Sequence, residues 1–143
     1  MTPQIIAHRG ASYLAPENTL TAFKKAMELG ADGVEMDVQQ TSDAGLVIHH
    51  DYMIDLHTDI SGKIYDMTMG DLKTLDFGSW KDVLFKDEKI ATLQEAMERL
   101  QEELYLEMKP KYRTRAAEFH RRFRETTLRR QREQQKGERN HDA

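Results

Sequence analysis

The sequence predicts an α/β fold in which a parallel sheet carries helices on its faces. Two patterns predict it: short apolar runs alternate with stretches of helical periodicity over residues 4–110, and chemistry-bearing residues recur where the apolar runs stop. The length agrees, since a chain of 143 residues buries roughly two thirds of the surface its unfolded form exposes.

Residues 4–7 form the first apolar run, stopped by His8-Arg9-Gly10, and residues 33–38 form the second. Both are expected as strands. Between them Leu20, Phe23, Ala26, Met27 and Leu29 recur at helical spacing, with Asn18 or Thr19 as the cap and Gly30 where a helix C-terminus favours a left-handed residue. This is a βαβ unit. Leu46-Val47-Ile48 is the third strand and ends on His49-His50-Asp51. Residues 52–89 read as an elaborated loop, with turns at Ser61-Gly62 and Phe77-Gly78-Ser79 and a short helix over residues 68–75. Thr92-Leu93-Gln94-Glu95 is a capping box that opens a helix whose buried stripe is Leu93, Ala96, Met97 and Leu100. Residues 104–108 are the fourth strand, halted by Pro110.

Composition divides the chain in two. Residues 1–110 hold 10 Lys and Arg against 20 Asp and Glu, whereas residues 111–143 hold 11 against 5. The second segment is expected as an Arg-rich helical or disordered tail. It is not read as a nucleic-acid surface, because only Tyr112, Phe119 and Phe123 stand among the basic residues and Glu118, Glu125, Glu133 and Glu138 break up the charge. With no cysteine, disulfides and thiolate metal sites are excluded. No charged leader and no apolar run of about 18 residues is present, which predicts a soluble, cytoplasmic protein without a transmembrane segment.

Strand ends are where α/β folds place their chemistry. His8, Arg9, Glu35, Asp37, His50, Glu107 and Lys109 all fall at or just past the ends of expected strands. Glu35 and Asp37 are two apart and share one face of a strand. Three carboxylates at one edge repel, by roughly 4 kcal/mol for a pair ~4 Å apart at an effective dielectric of about 20. A divalent cation offsets that, and an all-oxygen set favours Mg²⁺ or Ca²⁺ over Zn²⁺. Arg9 and Lys109 are placed to meet an anionic substrate, the former by bidentate pairing with phosphate oxygens. His8 and His50 can divide acid and base roles near neutral pH, as the breaking of a phosphodiester requires. His49 is expected to be structural, pointing away from the side of His50. Glu17, Asn18 and Thr19 are expected to fix the first helix start rather than touch substrate.

These pieces, in this order, resemble the glycerophosphodiester phosphodiesterases, members of the phospholipase C-like phosphodiesterase superfamily built on a TIM barrel. The resemblance covers residues 4–110 through Ile6-Ala7-His8-Arg9-Gly10-Ala11, Ala15-Pro16-Glu17-Asn18-Thr19, residues 30–38, His50-Asp51, Phe77-Gly78-Ser79-Trp80 and Leu106-Glu107-Met108-Lys109. It implies a partial TIM (β/α) barrel of about four of eight strands. It further implies His8 and His50 as the acid/base pair, Glu35, Asp37 and Glu107 as ligands of one Mg²⁺ or Ca²⁺, and Arg9 and Lys109 as phosphate-binding groups. The implied substrates are small-molecule glycerophosphodiesters, cleaved to glycerol 3-phosphate and an alcohol. Leu56-His57 stand where the family more often has Arg-Thr. A domain division at residue 110 is expected, with the tail unrelated to the family. A half barrel leaves the edge of its fourth strand uncovered, so self-association through that edge is expected. Two alternatives accompany the enzyme: an inactive truncated form, and a binding protein acting through the basic tail.

Overall fold

A computed structural model describes residues 3–100 and the backbone of residues 103–108. They lie in one compact unit, Met1–Lys109. Lys109 and the expected Arg-rich tail lie outside the described residues.

Five strands and three α-helices follow in the order β1 (Ile6–His8), α1 (Leu20–Glu28), β2 (Gly33–Gln40), β3 (Leu46–Ile48), α2 (Met69–Lys73), β4 (Ala91–Thr92), α3 (Leu93–Arg99) and β5 (Glu103–Met108). The architecture is α/β and forms part of a TIM barrel. β2 is its axis. It pairs in parallel with β1, His8 standing opposite Glu35, and in parallel with β5, where Asp37 stands opposite Glu107.

The all-parallel expectation needs a correction at the third strand. β3 runs antiparallel to β2, with Val38 opposite Ile48 and Gln40 opposite Leu46. The cause is the length of the connection: residues 41–45 make a turn, whereas a parallel crossover needs a dozen or more residues. Thr41 organises that turn, its backbone N–H donating to the Gly45 carbonyl at 2.9 Å and its hydroxyl accepting from the Gly45 N–H at 2.8 Å. A short strand not expected from the sequence, β4, then lies antiparallel to β3. His50 is therefore carried back beside Asp37 because β2 runs on past that residue and β3 returns along it, the His49 N–H meeting the Asp37 carbonyl at 2.9 Å.

The helices start and stop as the sequence dictates. Thr19 alone caps α1, accepting from the Ala22 N–H, and the Ala31 and Gly30 N–H groups close the other end on the carbonyls of Ala26 and Met27. The capping box of α3 is complete, with Thr92 and Glu95 each satisfying the other's backbone N–H. Ala22, Phe23 and Ala26 of α1 and Leu93, Ala96 and Met97 of α3 are buried.

The segment between β3 and β4 is more than a loop. Ile54, Ile64, Leu72, Phe77 and Ile90 pack with Val47 into a small core of their own, flanked by Met67, Met69 and Leu75. Burying each such side chain contributes roughly 1.5–3 kcal/mol. The segment is tied back over the loop that precedes α1, through Lys81 Nζ donating to the Ser12 carbonyl and Thr21 donating to Glu88. Among the described residues no helix is long and apolar enough to cross a membrane.

Gly78 is the most tightly enclosed glycine of this segment, since a Cβ there would run into the Phe85 carbonyl oxygen. Gly78→Ala should therefore cost about 1–3 kcal/mol, the usual range for forcing extra volume into a packed site. A lowered denaturation midpoint at unchanged slope would show it; an unchanged midpoint would refute the packing argument.

Candidate functional site

The site begins with a strained loop. His8 is the last residue of β1, and Arg9 (φ 58°), Gly10 (φ 79°) and Asn18 (φ 58°) are all left-handed. For an ordinary side chain such as that of Arg9 the conformation costs roughly 1–2 kcal/mol, whereas asparagine visits it more readily, so Arg9 above all must be held there. The Arg9 N–H donates to the Glu35 carbonyl at 2.8 Å, and the Asn18 N–H donates to the Arg9 carbonyl at 2.9 Å. Gly10 has a second reason to be glycine. A Cβ would meet the backbone of Ala22 at 2.8 Å, where the loop lies against the first turn of α1.

The Arg9 side chain is clamped between carboxylates. Its Nη1 donates to Glu17 at 2.7 Å, and its Nε lies 3.6 Å from Oδ2 of Asp37. Asp37, 1% exposed, also accepts from the Asn18 side-chain amide at 3.0 Å. Burial opposes the Arg9 charge, yet the Glu17 hydrogen bond and the charges of Glu17, Asp37 and Glu35 raise its pKa above the ordinary value. His8 Nε2 stands 3.3 Å from Oε2 of Glu35, with the His8 ring largely in solvent.

A second cluster carries His50. Gln39 of β2, fully buried, reaches the backbone that follows β3, its amide nitrogen lying 2.6 Å from the His49 carbonyl, 3.2 Å from that of His50 and 2.7 Å from that of Asp51. That amide has two protons, which suit the two nearer carbonyls, of His49 and Asp51, while the His50 carbonyl between them shares one at longer range. His50 Nδ1 is 2.7 Å from Oδ1 of Asp51, which as a carboxylate accepts. His57 is buried beyond it, with Nε2 3.3 Å from Glu17 and Nδ1 3.9 Å from Asp51. Hydrogen bonding to His57 foremost, and to Arg9, holds Glu17 at a pKa of about 2, against the opposing effect of burial. His49, edge-on to His57 and to Phe77, is lowered to about 4, first by burial and then by the charge of His57. It is a neutral core histidine at pH 7.

The structure thus brings together His8, Arg9, Glu35, Asp37 and His50 at one edge. Glu107 joins them through its register opposite Asp37, and Lys109 lies outside the described residues. Among the described residues no three His, Cys, Asp or Glu side chains form a metal cage. The expectation for Glu17 and Asn18 needs a correction: the helix start belongs to Thr19, while Glu17 pairs with Arg9 and His57 and Asn18 with Asp37. Gln39 and His57 were not picked out from sequence as parts of the site. A glutamine two residues beyond Asp37 on the same strand was the one available signal for the former.

A mixed sheet centred on β2, with helices packed on it and two histidines, paired carboxylates and an arginine at one edge, defines an α/β protein with a polar site at its strand ends. The chain belongs to the glycerophosphoryl diester phosphodiesterase family, whose sequence signature matches residues 8–142. It is 49% identical over 98 residues to a glycerophosphodiester phosphodiesterase of Caldanaerobacter subterraneus, covering 68% of this chain and 40% of that protein. An Oleispira antarctica phosphodiesterase solved in complex with the product sn-glycerol-3-phosphate superposes with a TM-score of 0.73 at 44% identity, over 75% of this chain and 44% of that one. A glycerophosphodiester phosphodiesterase from Agrobacterium tumefaciens gives 0.73 at 36% identity, over 75% and 47%. The chain spans less than half the length of these relatives.

Because its pKa is depressed on folding, Glu17 adds stability that is fully present above its ordinary value near 4.5 and is lost as the pH falls towards 2. Wild-type stability should fall across that window, and Glu17→Gln should remove this part of the slope. Urea midpoints at pH 6, 4.5, 3.5 and 2.5 measure it; identical profiles for the two proteins would show that the ion pairs of Glu17 contribute nothing.

Proposed function

We propose that this chain carries the catalytic edge of a phosphodiester hydrolase that cleaves glycerophosphodiesters to glycerol 3-phosphate and an alcohol. The observation that carries the reading is the meeting of His8, Arg9, Glu35, Asp37 and His50 across β1, β2 and the end of β3. Its support is the family membership and the product named in the Oleispira structure.

The two histidines serve as the acid/base pair. Asp51 accepts from His50 Nδ1, a contact that fixes the ring and leaves Nε2 to exchange a proton with a substrate oxygen. His8, at the solvent-facing rim, exchanges the second proton. Arg9 is held rigidly by Glu17 and Asp37, and an ordered guanidinium meets a phosphate oxygen at lower entropic cost than a mobile one. Lys109 completes the phosphate site in this reading.

The donor set fits a hard divalent cation. Glu35 and Asp37 share one face of β2, Glu107 stands in register opposite Asp37, and all three offer only oxygen. Glu35, Asp37 and Glu107 would hold one Mg²⁺ or Ca²⁺, which supplies charge stabilisation to the non-bridging phosphate oxygens when bound.

Release of glycerol 3-phosphate from glycerophosphocholine tests the reading, with Mg²⁺, Ca²⁺ or EDTA present. The expected result is cation-dependent release, reduced at least about 100-fold in His8→Ala and in His50→Ala, the usual scale for losing a general acid or base. Absence of release from the wild-type chain under all three conditions would overturn the activity for this chain, and release unaffected by EDTA would overturn the cation.

A further inference from the structure

We propose that His57 is a positioning residue that sets His50 and Arg9 together through one imidazole ring. The inference rests on the reading of those two groups as acid/base and phosphate-binding. Position 57 falls outside the motifs on which the family resemblance stands. Here a ring occupies it, 7% exposed.

The two ring nitrogens of His57 face two different carboxylates. Nε2 lies 3.3 Å from Oε1 of Glu17, whose other oxygen accepts from Arg9 at 2.7 Å. Nδ1 lies 3.9 Å from Oδ2 of Asp51, whose other oxygen is 2.7 Å from His50 Nδ1. Each carboxylate therefore has one oxygen on a functional group and the other towards His57. The ring itself is fixed edge-on, by Trp80 at 4.6 Å between centroids and by His49 at 4.9 Å. His49, neutral at pH 7, adds no charge to the cluster.

Buried Nδ1 makes no hydrogen bond, and a polar atom left so costs about 1–3 kcal/mol. Its distance to Asp51 is about 1 Å beyond a hydrogen bond, so a small movement of Asp51 satisfies it. Such a movement is transmitted to His50 by the existing Asp51 contact. His57 is thus the one described side chain in ion-pairing range of both the partner of Arg9 and the partner of His50.

Nuclear magnetic resonance of the full chain at neutral pH tests this without requiring turnover. Ring ¹⁵N shifts report the tautomer of His50, and exchange of the Arg9 Nε proton with water reports how firmly the guanidinium is held. In wild type, His50 should show one tautomer, with its proton on Nδ1. His57→Ala should mix the tautomers of His50 and speed Arg9 exchange at least about tenfold, while the His8 resonances, which belong to the Glu35 contact, stay in place. His57→Gln keeps a donor for Glu17 but none for Asp51, so Arg9 exchange should return towards wild type while His50 stays mixed. Thermal melts establish that each variant is folded, and the Gln variant carries the test if the Ala variant is not.

Unchanged His50 tautomer and Arg9 exchange in a folded variant would overturn the proposal. So would equal loosening of His8, His50 and Arg9, which marks a merely structural ring. A wild-type chain that releases no glycerol 3-phosphate would overturn the activity while leaving the His57 linkage to be decided by these spectra.

Discussion

Burial of the Asp37 carboxylate is the constraint from which the rest of the site follows. Removing a carboxylate from water costs several kcal/mol unless charge and hydrogen bonds offset it, and Asp37 is 1% exposed. Asn18 and Arg9 supply the offset, at 3.0 and 3.6 Å. To reach it, both take left-handed backbone conformations, and the Asn18 N–H to Arg9 carbonyl bond locks the two residues to each other. Arg9 is then oriented by Glu17, and Glu17 by His57. Each group in this series is compensated by the next, so removal of one member leaves its neighbour a buried, poorly compensated charge.

The length of β2 converts that local requirement into a site. Its residues from Gly33 to Val38 pair with β5 and its first three with β1, which builds the parallel sheet. Its last three, starting from the same Val38, pair with β3. A β2 that stopped at Asp37 would leave β3 nothing to run back along, and His50 would lose its route to the edge. Gln39 belongs to this overshoot and pins the returning loop by its carbonyls. The same strand therefore presents two carboxylates to one side of the site and locates the histidine that faces them.

Much of this was legible in residue pattern. Thr19, Thr92 with Glu95, and the residues around Gly30 announce helix ends because capping is local chemistry, and the structure keeps each. The strands at Leu46–Ile48 and over residues 33–38 were readable from apolar runs, though neither their direction nor the extension of the second through Gln39 and Gln40 was. Direction was nonetheless encoded in the short Thr41-Ser42-Asp43-Ala44-Gly45 turn, which no crossover could use. What sequence could not give was the partner of Glu17 or of His57. They are 40 residues apart, and their meeting depends on how the segment between β3 and β4 folds over the first loop. Local propensity also argued against a left-handed Arg9, where tertiary bonds overrule it, whereas Asn18 is of a type that adopts that conformation readily.

Charge balance at the edge supports a cation in the proposed reaction more strongly than any single residue does. Glu17, Glu35, Asp37 and Asp51 face the site, and among the described residues there Arg9 is the permanent positive charge against them. Protonating a histidine shifts that balance by one, but a histidine that has to accept a proton is then no longer free to do so. A phosphodiester is itself an anion. Two like charges at ~4 Å and an effective dielectric of about 20 repel by roughly 4 kcal/mol, so an edge this acidic would turn such a substrate away. Arg9, already engaged by two carboxylates, offsets only part of it. In the proposed reading, an oxygen-liganded divalent cation held by Glu35, Asp37 and Glu107 would cancel most of that negative excess without consuming either histidine, and such a division would leave the proton-transfer groups and the charge-bearing group as separate parts of one site.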